Sequence, residues 1–316
     1  MNRDNPRMRW AHRAPAVGVI VLAICALTEA GAGAGVDCLD TQAALSYWRP
    51  IREKASTSEA PPDALALELV SCLSSPVAEL RDRIGYELFT LWLRNDRLTD
   101  ATRKSLVEEL SVRIATPPAG ASDNAALGRS FSALILAELM RSDAQKPFMS
   151  SEARQTLLER AATALERETD FRGLEADVGW VHPVAHLSDL LWRFALHPES
   201  SSAQAEMILA AVKAKIAPTL AFYTFNESDR LARVVSTIIR NELVDAKRMG
   251  EWLRAFESPQ SMDAWSDAFS SREGMAELHN TKLFMRALSD QLAGEETSPQ
   301  ITEPLDALVN GLTQWI

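Results

Sequence analysis

His182, His186 and Asp189 stand at i, i+4 and i+7, and on a helix those positions share one face with neighbouring Cβ atoms about 5–6 Å apart. Two imidazoles one turn apart can take a divalent metal together. A carboxylate on the same stripe would be a third ligand or would orient His186. Just upstream, Glu168, Asp170 and Arg172 offer two carboxylates and a guanidinium in one short run. On a metal-dependent hydrolase reading, Glu168 or Asp170 is the general base and Arg172 steadies an anionic intermediate, while the open metal position activates water. The competing reading is structural. The His-x-x-x-His pair lacks the intervening Glu of the zinc-protease signature. His186 and Asp189 can bond each other in a helix-packing layer, and Glu168, Asp170 and Arg172 can be an ion network that fixes a loop.

The elements that would position these residues are helices. Val77, Leu80, Ile84, Leu88 and Leu91 recur at spacings of three and four, as do Leu127, Phe131, Leu134, Ile135 and Leu139. Alternating strand patterns are absent; the nearest, Thr219 to Phe225, is short and follows Pro218. Punctuation divides the chain into roughly twelve helices from Asp40 to Trp315. His182-Pro183 reads as an N-cap followed by Pro at the first helical position, Ser258-Pro259 and Glu303-Pro304 read as further starts, and Gly173 as a stop. A dozen short amphipathic helices in series predict an all-α fold, an α-solenoid of packed helix pairs of the HEAT or armadillo kind, with an irregular helical bundle as the alternative.

The N-terminus bears on compartment. Arg3, Arg7, Arg9 and Arg13 precede an apolar run from Ala16 to Leu27, and small residues at Ala30, Ala32 and Ala34 offer cleavage positions. That layout predicts a signal peptide over residues 1–34, followed by one helical domain over 35–316. The expected location is the periplasm, with an uncleaved inner-membrane anchor as the alternative. Removal of the leader leaves 29 basic and 41 acidic residues, a balance that disfavours nucleic acid. No later stretch reaches 18 apolar residues, so no membrane association is expected after cleavage. Cys38 and Cys72 form an even pair, read as a disulfide in an oxidising compartment, with two buried thiols as the alternative. No GxSxG, phosphate-binding loop or dinucleotide fingerprint occurs.

Several short pieces run together along the chain: Arg81-Asp82 with Tyr86, Arg129-Ser130-Phe131-Ser132, Glu168-x-Asp170-x-Arg172-Gly173, Gly179-Trp180-x-His182-x-x-Ala185-His186-x-x-Asp189, then Glu227 with Arg230-Leu231-Ala232 and Trp252-Leu253. In these the chain resembles the bacterial family of domain of unknown function 2785, over about residues 75–257. The resemblance implies a helical fold and makes Glu168 to Asp189 the defining segment; it implies no reaction. Pro183 departs from the small residue the family tends to carry there. Two functions follow from the sequence: a non-enzymatic periplasmic binding or scaffolding protein for a peptide, protein or small ligand, with no cofactor, or a hydrolase carrying a divalent metal on His182, His186 and Asp189.

Overall fold

The computed structural model describes residue 38, residues 40–118 and residues 125–314; the expected leader, 1–34, and Trp315 lie outside them. α1 (Thr41–Lys54) and α2 (Asp63–Leu69) come first, and α2 tightens into a 3-10 turn over Val70–Ser74. A π-helical segment, Glu79–Tyr86, runs directly into α3 (Glu87–Arg94). α4 (Asp100–Ile114), α5 (Ala125–Gln145) and α6 (Ser151–Arg167) follow. After α6 the chain makes a small antiparallel hairpin of β1 (Leu174–Glu175) and β2 (Gly179–Trp180). The rest is helical: α7 (Pro183–Ala195), α8 (Ser202–Ile216), α9 (Glu227–Arg240), α10 (Ala246–Arg254), α11 (Arg272–Leu292) and α12 (Pro299–Thr313).

Helix starts follow local chemistry. Asp40, Thr99, Ser150, Asp245 and Ser271 each accept a hydrogen bond from a backbone N–H of their helix's first turn, and Ser201 with Gln204 closes a reciprocal capping box. These polar caps meet donors that have no intrahelical partner. Three proline or glycine signals fall elsewhere than expected. Pro304 lies inside α12, whose first residue is Pro299, and Pro259 sits in the loop before the 3-10 turn Trp265–Ser270. α6 stops at Arg167 with Glu168 as its cap, five residues before Gly173. The hairpin is also unforeseen, because two-residue strands are too short to show an alternation. Thr219 to Phe225 forms no strand.

The helices pack in two rows. α5 lies against α7, α7 against α9 and α9 against α11; on the other side α4 meets α6 and α6 meets α8. α10 joins the second row through the Arg248–Glu206 ion pair and the Trp252 indole N–H on the Leu209 carbonyl of α8, and it packs on α12. The rows face each other along α4–α5, α6–α7, α8–α9 and α11–α12. One buried apolar cluster extends between them from Ala44 in α1 to Leu312 in α12. α5 is packed on nearly every side, which is why its apolar residues form no single stripe. Cys38, ahead of α1, is bonded to Cys72 in the turn after α2, closing a loop of 34 residues at the N-terminal end of the stack.

Candidate functional site

The hairpin between α6 and α7 is held from below by Arg81. This buried guanidinium donates to the carbonyls of Ser75 (2.6 Å), Val178 (2.6 Å) and Trp180 (3.1 Å), and lies 4.8 Å from the Phe131 ring centroid. Burial lowers its pKa, and nearby Asp82 works the other way. Arg81 therefore joins the π-helical segment, the hairpin and α5. The hairpin's own backbone needs two glycines. Gly179 has φ +78°, and a Cβ on Gly173 would fall 1.9 Å from the Phe225 ring. The outward products of this arrangement are Leu174 and Trp180, which remain exposed.

Glu168, Asp170 and Arg172 build the approach to the hairpin. The buried Glu168 carboxylate accepts the backbone N–H groups of Thr169 (3.0 Å) and Asp170 (2.9 Å) and pairs with Arg129 of α5 at 3.2 Å. Its carbonyl takes the Lys215 ammonium of α8 at 2.6 Å. Asp170 accepts both the backbone N–H and the guanidinium of Arg172. The Arg172 carbonyl then receives the His182 N–H at 3.1 Å, and the Gly173 carbonyl that of Val181 at 2.9 Å. Carboxylates engaged in this way lock a loop, and none of their oxygens is left as a free base.

His182 does cap the start of α7, but in the left-handed region at φ +49°, and its side chain makes no capping bond. An L-residue there carries a cost of about 1–2 kcal/mol, offset by what the ring gains elsewhere. That ring stacks on Trp180, 5.0 Å between centroids, and brings Nε2 to 3.3 Å from the Glu227 carboxylate at the first turn of α9. The Nε2 atom makes no hydrogen bond to the described residues. Burial pushes the Glu227 carboxyl up, but His182 and the N–H groups of Glu227 and Phe225 outweigh it and hold the carboxyl below its usual value.

His186 points to a different partner. Its Nδ1 lies 2.8 Å from the Ser130 hydroxyl of α5, and that hydroxyl donates to the Val181 carbonyl. One hydroxyl has one proton, so Ser130 must accept from His186, which fixes the proton on Nδ1 and leaves Nε2 bare in the neutral ring. The ring keeps a partly exposed edge, yet its pKa falls to about 3. Desolvation is the largest cause, followed by His182, Arg230 and Arg81, against the opposing Ser130 bond. His186 is thus a neutral acceptor. Ser130 is fully buried, its hydroxyl held between the His186 ring and the Val181 carbonyl.

Asp189 completes the expected triad only in sequence. Its two oxygens face Arg230, at 2.6 Å, and Arg233, both of α9. The His182 and His186 ring centroids are 5.8 Å apart and inclined at 61°, with one nitrogen of each turned to Glu227 or Ser130. Among the described residues no three His, Cys, Asp or Glu side chains are grouped to hold a metal ion. The structure therefore brings the six expected residues into one neighbourhood, but as neighbours in a brace spanning α5, α7 and α9. Arg81, Arg129, Ser130, Glu227 and Arg230 belong to it too, and all had been visible only as scattered motif pieces. Arg233 carried no sequence signal, since one more arginine on an amphipathic helix is unremarked.

A family model described as "Protein of unknown function (DUF2785)" matches residues 119–289, the stretch that contains α5 to α9 and most of this brace. No curated protein and no solved structure matches the chain.

Proposed function

The chain belongs to the family described as "Protein of unknown function (DUF2785)", and we propose that it is an exported, non-enzymatic binding protein built as an α-solenoid. The observation that carries this reading is the commitment of Glu168, Asp170, His186 and Asp189 to backbone N–H groups and to side chains of the loop, α5 and α9. Glu168 is spent on Arg129 and two N–H groups, Asp170 on Arg172, His186 on Ser130 and Asp189 on two arginines. A segment so engaged makes a rigid scaffold, and rigidity is what a binding surface requires of its support. Two rows of helices, each packed on the one two places along, support the helix-pair solenoid. The Cys38–Cys72 bond favours an oxidising compartment, in keeping with the basic and apolar leader. Among the described residues no helix is long and apolar enough to cross a membrane.

The second reading, a metal-dependent hydrolase, draws on the proximity of the two histidine rings and the bare Nε2 of His186. Metal content separates the two. Untagged protein, analysed by inductively coupled plasma mass spectrometry, is expected to hold well under one equivalent of any divalent metal, with no change in His186→Ala. One equivalent of metal, lost in that variant, would replace the binding-protein reading by the hydrolase.

A further inference from the structure

Arginines converge where α3, α5, α7 and α9 meet. Glu138 of α5 is shared by Arg94 of α3 (2.7 Å), Arg141 of α5 (2.9 Å) and Arg193 of α7 (3.7 Å). Asp189 of α7 is shared by Arg230 and Arg233 of α9. Trp192 joins the two groups: the guanidinium carbons of Arg193 and Arg233 lie 4.4 and 4.2 Å from its ring centroid. Its indole N–H is anchored on Thr237 at 3.0 Å, so the ring is fixed in place. Five guanidinium groups thus face two carboxylates, an excess of three positive charges on a chain whose formal net charge is −10.

The donors are unspent as well as the charge. Arg193 makes no hydrogen bond to the described residues; it has only the ion pair with Glu138 at 3.7 Å and the stacked indole. Among the described residues Arg141 Nη2 and Arg233 Nε have no hydrogen-bond partner either, but both atoms are buried and add to the cluster's uncompensated charge without themselves facing a ligand. The half-buried Arg193 guanidinium, its N–H donors making no hydrogen bond to the described residues and its plane held beside an aromatic ring, matches the planar geometry of carboxylate and phosphate. Burial is the main cause that lowers the Arg193 pKa; Glu138 and Asp189 pull it up, and Arg141 and Arg94 push it down.

We infer that this junction is a binding site for a small polyanion, a ligand carrying two or more carboxylate or phosphate groups, with Arg193 at its centre and Arg233 and Arg230 beside it. The inference rests on the binding-protein reading in one respect: the anion is held and not turned over. A partly buried guanidinium gives up part of its hydration and is stabilised by a counter-charge close by. Here the carboxylates are too few, and one guanidinium is left without a bonded acceptor.

Calorimetric titration of the native protein with citrate and with pyrophosphate tests the site and separates carboxylate from phosphate ligands. Saturable binding of at least one is expected, weakening as sodium chloride screens the cluster. Arg193→Gln should weaken it by about tenfold or more, the loss of one charge-assisted contact. The same variant should melt no lower than the parent without anion, because like-charge crowding is relieved, and should lose the rise in melting temperature that anion gives the parent. Arg230→Gln, at a more exposed position, provides a second variant with the same expected direction. No saturable binding of either anion up to about 1 mM, or binding unchanged in both variants, overturns the site while leaving the binding-protein reading intact. Phosphorus NMR run on the pyrophosphate sample gives the reverse separation: hydrolysis would end the binding-protein reading while keeping the site.

Discussion

At the scale of single residues, His186 shows how little a residue type says about its use. A histidine four places from another reads as a ligand pair, yet Ser130 takes one nitrogen and packing keeps the ring neutral, with its pKa lowered to about 3. The folded value lies below the ordinary 6.5, so protons bind the unfolded chain first. The stability contributed by the neutral ring is complete above pH 6.5 and is lost as pH falls toward the folded value. His186→Asn keeps a donor toward Ser130 and cannot titrate in this range. Melting curves between pH 7.5 and 4.5 should show a steeper acid loss in the parent than in this variant; equal slopes would mean that the ring is not held neutral by the fold.

At the scale of elements, the hairpin between α6 and α7 depends on a residue almost a hundred positions upstream. Arg81 is the bond between the π-helical segment and the carbonyls of Val178 and Trp180. Arg81→Met would leave three carbonyls, one buried and two part-buried, without their donor, and urea unfolding should report a loss of about 2–3 kcal/mol. Limited proteolysis should then cut first within residues 174–180; cleavage and stability like the parent's would show that the hairpin stands without the brace. This dependence was not readable from local pattern. Strands of two residues have no periodicity, and an arginine on a helix face gives no hint that it is buried. Part of what sets a helix start is local, because the Asp, Ser and Thr caps found here act on the N–H groups two or three places along. Pro304 was misleading for the same local reason: proline suits a first turn, and α12 begins one turn earlier, at Pro299.

At the scale of the whole molecule, two rows of helices share one core, and the Cys38–Cys72 bond ties down its N-terminal end. A closed loop of 34 residues restricts the unfolded chain by about 3–4 kcal/mol. Reductant, or Cys72→Ser, should lower the urea midpoint accordingly with little change in helical circular dichroism; two titratable thiols at these positions in the native protein would contradict the bond. Helical content was determined by the sequence alone, because periodicity acts locally; the two cysteines left a bridge or two buried thiols open, and the fold brings them into a bond. Even the address of the site was present there, in the spacing of Glu168 to Asp189. What that segment does was decided only in three dimensions. A side chain's chemistry is set by the partner it meets, and Ser130, Arg129, Glu227, Arg230 and Arg233 arrive from α5 and α9, 39 to 56 residues along the chain from the residues they meet. Packing turned the expected ligands into a brace, and it gathered the unmatched arginines around Trp192 that no local pattern announced.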